Sequence, residues 1–149
     1  VLILLFSETS PWIVLVLGYF QVVGPLNRQP VPLPKEMSQW PTVDIFVPTY
    51  NEDLTVVKNT IYASLGIDWP NDTLNSCILD DGGRDSFRHF ARHVGVHYIA
   101  CATHEHAKAG NTHNALKHPK GEFVAILDWH HVPTRTFLQM TMGWLLTEK

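Results

Sequence analysis

Three short apolar runs, each closed by a polar or acidic cluster, constrain the fold of this chain more than any other feature. Residues 43–47, 77–79 and 123–127 read as strands. The first ends in Pro48-Thr49-Tyr50-Asn51-Glu52, the second in Asp80-Asp81-Gly82-Gly83 and the third in Asp128. Strands this apolar are usually buried on both faces, as in a parallel sheet covered by helices. Polar residues at the ends of such strands line the crevice where open α/β sheets bind ligands. Carboxylates gathered there suit a sugar, a ribose or a metal-bound diphosphate. A bare phosphate would be repelled unless a cation intervened.

The segments between the runs have helical period. Residues 53–65 put Leu54, Val57, Ile61 and Leu65 on one face, with Gly66 as the stop. Residues 85–94 do the same with Phe87, Phe90, Ala91 and Val94, and Gly95 ends them. A strand at 96–100, a polar loop, a short helix near 110–117, the strand at 123–127 and a helix from about Pro133 follow. This alternation predicts an α/β fold with a doubly wound, mostly parallel sheet.

Residues 1–24 carry a single charge, Glu8. A bilayer span needs roughly 20 mostly apolar residues, so a transmembrane segment is expected here, although Ser7-Glu8-Thr9-Ser10-Pro11 interrupts it. Either Glu8 faces other helices within one span, or a second span starts at Pro11. A buried helix of a soluble domain is the alternative. A signal peptide fits poorly, with no basic start and no small-residue cleavage site. Residues 25–41 hold Pro25, Pro30, Pro32, Pro34 and Pro41 and are expected to form an extended linker. Arg28 and Lys35 just past the apolar stretch favour a cytoplasmic side for the globular part, residues 42–149. The Val start and the helical final residues suggest a piece of a longer protein.

The net charge of −3 is too small to indicate a partner. No basic run or basic helix points to nucleic acid. Cys77 and Cys101 have no metal-type spacing, and a reduced compartment is the simpler reading. No Gly-x-Gly-x-x-Gly follows the first strand, which disfavours a Rossmann oxidoreductase.

Each motif alone has a plain reading. Residues 80–83 could be a turn, since Asp and Gly favour turns. Asp128 could cap the next helix. Residues 104–111 set Lys108 and several donors before a helix N-terminus, which suits a diphosphate or a solvated loop. His104 and His106 flank Glu105, but such a pair is more often surface than metal site.

In order and together, these segments resemble the family-two glycosyltransferases, inverting enzymes with a GT-A nucleotide-sugar fold, and most closely their bacterial cellulose-synthase branch. The resemblance runs through Phe20-Gln21-Val22, residues 25–34, 43–52, 80–83 and 104–111, and Asp128 with residues 131–135. It implies that UDP-glucose is the donor and a growing β-1,4-glucan the acceptor. Thr49, Tyr50 and Glu52 would hold the uridine. One carboxylate of Asp80 and Asp81 would accept from the uracil ring nitrogen or the ribose, a charge-assisted bond. Lys108 would face the diphosphate. Asp128 would be the first carboxylate of an Asp-x-Asp motif that binds the donor and its Mg2+ or Mn2+.

The chain departs from the pattern at the second acidic position, which holds His130, preceded by a bulky Trp129. Magnesium prefers oxygen ligands and imidazole suits other metals, so His130 weakens the metal site or changes its metal. A catalytically degenerate nucleotide-sugar-binding module, or a synthase of another polysaccharide, is the alternative. The family's general base (in Thr-Glu-Asp) and its acceptor-binding Gln-x-x-Arg-Trp motif do not occur in these residues. No catalytic residue is therefore assigned here, and the base is expected downstream. The resemblance also implies a bacterial inner-membrane location, contact with membrane lipids, a periplasmic cellulose synthase subunit as partner, and activation by cyclic di-GMP through a separate domain.

Overall fold

The computed structural model describes residues 2–24, 29–100, 110, 112, 113, 115–117 and 119–147. Helix α1 is Leu2–Val23. Strand β1 is Val43–Thr49, helix α2 Leu54–Leu65, strand β2 Leu74–Asp80, helix α3 Asp85–Val94, strand β3 His97–Ala100, strand β4 Phe123–Ile126 and helix α4 Phe137–Thr147. The strands form one sheet in the order β3-β2-β1-β4. Every pairing is parallel, with Val43 opposite both Leu74 and Phe123.

All seven residues of β1 are buried, as expected of a central strand covered on both sides. Their alternation splits the core in two. Val43, Ile45 and Val47 face Val57 and Ile61 of α2 and Phe87, Phe90 and Ala91 of α3. Phe46, Cys77 and Leu79 face the other way, against Ala115. Of residues 110–117, Gly110, Thr112, His113 and Ala115 are helical, and Ala115 packs on that second face. The sheet is thus doubly wound. β3 and β4 are only partly buried because each has one strand neighbour among the described residues.

Local chemistry sets the helix boundaries. Asp53 caps α2 by accepting the Thr55 N–H at 2.7 Å. Gly95 ends α3 in the left-handed conformation, φ 79°. α4 starts four residues later than expected. Asp68 ties Arg135 down ahead of the helix: its N–H donates to the Arg135 carbonyl (2.8 Å), and its carboxylate accepts from the Arg135 guanidinium at 2.5 Å. Strand β2 starts earlier than its apolar run because its polar first residues are satisfied. Asn75 donates to Asp44 at 2.9 Å and Ser76 pairs with Ser64 at 3.1 Å.

Of the proline-rich segment, residues 29–36 have no helix or strand, Met37–Gln39 form one 3-10 turn, and a few side chains pin it to the domain. Trp40 and Leu33 lie against the core, Trp40 stacks on Trp69 with centroids 4.6 Å apart, and Trp40 Nε1 donates to the Pro34 carbonyl at 2.9 Å. The Val31 carbonyl presses on α4 where Gly143 has no side chain. A Cβ there would lie 1.9 Å from the carbonyl oxygen.

The structure does not support the expected span over residues 1–24. Among the described residues, no helix is long and apolar enough to cross a membrane. α1 is continuous through Pro11. The polar residues Ser7-Glu8-Thr9-Ser10 leave shorter apolar stretches on either side, each below the roughly 20 residues that a span needs. The apolar side chains beyond the break, from Trp12 to Val23, are exposed.

Candidate functional site

The C-terminal ends of β2, β1 and β4 lie side by side, and the strand order reverses at β1. That is the place where open α/β sheets bind ligands. Three loops meet there: residues 50–53 after β1, residues 81–84 after β2 and residues 127–131 after β4.

Thr49, the last residue of β1, is fully buried. Its hydroxyl donates to the Leu79 carbonyl at 3.2 Å and accepts from Arg84 Nη2 at 3.0 Å. Tyr50 follows and is 41% exposed. The Glu52 carboxylate accepts the Tyr50 N–H at 2.5 Å and fixes the loop as a turn.

The two carboxylates of residues 80 and 81 have separate environments. Asp80, at the end of β2, is fully buried and accepts from every side. Arg84 supplies its backbone N–H (2.6 Å) and its Nε (2.9 Å), Tyr98 its hydroxyl (2.8 Å) and Gly82 its N–H (3.3 Å). Arg84 Nη2 lies 2.7 Å from the same carboxylate. Burial alone would raise the pKa of Asp80. The hydrogen bonds from Arg84 and Tyr98 outweigh it and hold the pKa below the ordinary carboxylate value. Burial, with the bond to Asp80, raises that of Tyr98. Asp80 is therefore an anchor of the loop. Asp81, also buried, stands beside β1 and donates its N–H to the Thr49 carbonyl at 3.2 Å.

Arg84 is not part of any motif singled out from the sequence; its spacing of four from Asp80 is the one signal that could have found it. Nη1 donates to the Glu52 carbonyl at 2.6 Å. Its guanidinium carbon sits 3.8 Å from the centre of the Phe87 ring, within cation–π range. One side chain thus bridges the loops after β1 and β2.

Asp128 does not cap a helix. It opens a tight turn in which its carbonyl accepts the His131 N–H at 2.9 Å and its carboxylate the Trp129 N–H at 2.9 Å. The bulk of Trp129 has a structural reason. Its ring packs against the main core, and its carbonyl accepts the Thr60 hydroxyl at 2.5 Å, which ties the turn to α2. His130 is 54% exposed, and its Nδ1 lies 3.4 Å from Asp128 Oδ2. Its ring also contacts His131, centroids 4.7 Å apart. Beside this turn an open cleft of about 540 Å³ is lined by Pro48, Thr112, Leu116, Ile126, Asp128 and His131.

Thr49, Glu52 and Asp80 are therefore joined through Arg84, and Asp128 and His130 form a second group across β1. Lys108, His104 and His106 lie outside the described residues, as does Cys101. Cys77 is a free thiol buried under the sheet, and burial pushes its pKa up to about 12. It is an inert core residue.

Residues 44–149 match the family described as glycosyl transferase family 2. The chain is 53% identical over 143 residues to a protein of Xanthomonas axonopodis pv. citri (strain 306) named cellulose synthase catalytic subunit [UDP-forming], with 96% of this chain and 20% of that protein covered. It is 52% identical over 145 residues to cellulose synthase 1 of Komagataeibacter xylinus, covering 97% of this chain and 9% of that one. The chain thus spans a fifth or less of the length of these curated relatives. Among solved structures, a mannosyltransferase from Pyrobaculum calidifontis in complex with GDP-Man and Mn2+ superimposes with a TM-score of 0.65 at 27% identity, over 87% of this chain and 39% of that one. TarS of S. aureus in complex with UDP-GlcNAc gives a TM-score of 0.62 at 18% identity, over 71% of this chain and 31% of that one, a likeness of fold.

Proposed function

Because the chain belongs to glycosyl transferase family 2, we propose that it forms the donor-binding half of a membrane-attached synthase that transfers glucose from UDP-glucose to a growing β-1,4-glucan. The observation that carries this reading is the meeting of the loops bearing Tyr50, Asp81 and Asp128 at the strand ends where the sheet order reverses. The relatives named as UDP-forming cellulose synthases support the donor and the polymer.

In this reading Asp81 accepts from the uracil ring N–H or the ribose, and Tyr50 covers the base from the open side. Asp80 holds the loop in place. Lys108, by its charge and its place in the motif, would serve the diphosphate. The general base that takes the proton of the attacking hydroxyl is expected outside these residues, and a periplasmic subunit is the expected partner. The exposed apolar side chains of α1 support attachment to the inner membrane through lipid contact, and Arg28 and Lys35 support a cytoplasmic domain.

The turn at Asp128 suits a divalent cation that the substrate helps to hold. The Asp128 oxygen and the His130 nitrogen converge to 3.4 Å, while the described residues contain no group of three or more His, Cys, Asp or Glu able to bind a metal. Donor phosphates and water would complete the shell, as is common for magnesium. Bound there, the ion neutralises charge on the departing diphosphate.

Two experiments test these assignments. Membranes from cells making the whole protein, washed in alkaline carbonate, are expected to convert labelled UDP-glucose into a polymer that cellulase digests. Release of the protein by carbonate would remove the membrane attachment, and a cellulase-resistant product would remove the glucan. For the metal, His130→Asp is expected to lower the magnesium concentration for half-maximal rate about tenfold, since a carboxylate replaces a nitrogen poorly suited to a hard ion. Identical magnesium curves for the two proteins would place residue 130 outside the coordination shell.

A further inference from the structure

We infer that Arg84 is a positioning residue for the nucleotide: it makes the loops after β1 and β2 into one rigid pocket and sets donor affinity without touching the donor. This rests on the donor-binding reading above. The side chain spends its donors on the protein. Nε and Nη2 reach Asp80, Nη2 also reaches the Thr49 hydroxyl, and Nη1 reaches the Glu52 carbonyl. The Phe87 ring supports one face of the guanidinium at 3.8 Å. Phe87 is itself 1% exposed in the core, so the plate cannot drift. A planar fork of five N–H groups can hold three acceptors in fixed directions, and a lysine ammonium cannot.

The geometry joins two segments that the backbone leaves separate. Residues 50–53 have no strand or helix of their own. The Glu52 carbonyl, held by Arg84, fixes the far end of this loop. The near end is fixed by Thr49, bonded to the same guanidinium. Tyr50 lies between the two fixed points. On the other side the Arg84 backbone N–H and side chain clamp Asp80, so the path of Asp81 is set by the same residue. Without the bridge, Tyr50 and Asp81 would have to be ordered at the moment of binding, and that ordering is subtracted from affinity.

The test is a comparison of the whole protein with Arg84→Lys and with Phe87→Leu. The second variant keeps the guanidinium and removes the aromatic plate beneath it. Each is titrated with UDP by calorimetry well below its melting temperature and assayed with UDP-glucose. Arg84→Lys is expected to weaken UDP binding about tenfold and to raise KM for UDP-glucose by a similar factor, with kcat changed much less. Phe87→Leu is expected to give a smaller loss in the same direction. Amide exchange at residues 50–53 is expected to quicken in both. If both variants melt at lower temperature but bind UDP as the unaltered protein does, Arg84 is a stability residue alone and the inference is overturned. If the unaltered protein does not bind UDP, the donor reading falls and takes this inference with it. If Arg84→Lys does not fold, unchanged affinity in Phe87→Leu is sufficient to overturn it.

Discussion

Asp80→Ala is expected to destabilise the sheet domain by about 3–5 kcal/mol, the usual result of removing one partner from a buried, hydrogen-bonded ion pair. The value should fall toward the lower end, because the Arg84 side chain keeps 27% of its exposure while that of Asp80 has none. Deletion leaves the Arg84 guanidinium, its backbone N–H and the Tyr98 hydroxyl without their shared acceptor. Asp80→Asn retains an acceptor oxygen and should lose less. Amide exchange of β2 in the whole protein reads the local opening energy directly. Protection equal to that of the unaltered protein would show that Asp80 is not the anchor.

The same residue gives the domain a defined response to acid. The folded-state pKa of Asp80 lies below the ordinary value of 3.8. Its contribution to stability is complete above that ordinary value and is lost as pH falls below it, through the folded pKa, because the unfolded chain then binds the proton more readily. Protection of β2 should therefore fall off below about pH 4 in the unaltered protein. In Asp80→Asn it should start lower and stay flatter across that range.

The parts of this molecule that can be read from sequence are those set by local pattern. β1, α2 and α3 follow from apolar period, from Asp53 as a cap and from Gly95 as a left-handed stop. The doubly wound sheet follows from the alternation of such elements. The division of labour between Asp80 and Asp81 does not. Adjacent strand residues point to opposite faces, and which carboxylate becomes the anchor depends on Arg84 folding back and on Tyr98 arriving from β3. Trp129 is odd as a motif residue and ordinary as a core residue, a distinction that only packing against α2 reveals. The late start of α4 depends on Asp68, 67 residues away in sequence from its partner Arg135. The length and apolar content of residues 1–24 suggest a span, but among the described residues no helix is long and apolar enough to cross a membrane.

The second large effect expected is on the nucleotide, and it should appear at the neighbouring position. Asp81→Ala is expected to weaken UDP binding by about 1.5–3 kcal/mol, the range for a hydrogen bond to a charged group, which is roughly 10- to 150-fold in Kd. Stability should change far less than in Asp80→Ala, because Asp81 does not take part in the Arg84 clamp. The two variants should therefore dissociate. Asp80→Ala loses β2 protection first and affinity only as the loop loosens, and Asp81→Ala loses affinity in a domain that still exchanges slowly. Asp81→Asn offers a finer check. It keeps the size of the side chain but replaces the carboxylate with a neutral acceptor, so the loss should lie between zero and that of alanine. Calorimetric titration of the whole protein with UDP, and then with uridine, separates the base from the phosphates. The loss should be of the same size for both ligands if Asp81 meets the uracil or ribose. A loss confined to UDP would put Asp81 at the diphosphate, where a carboxylate acts only through a bound cation, and unchanged affinity for both would remove Asp81 from the site.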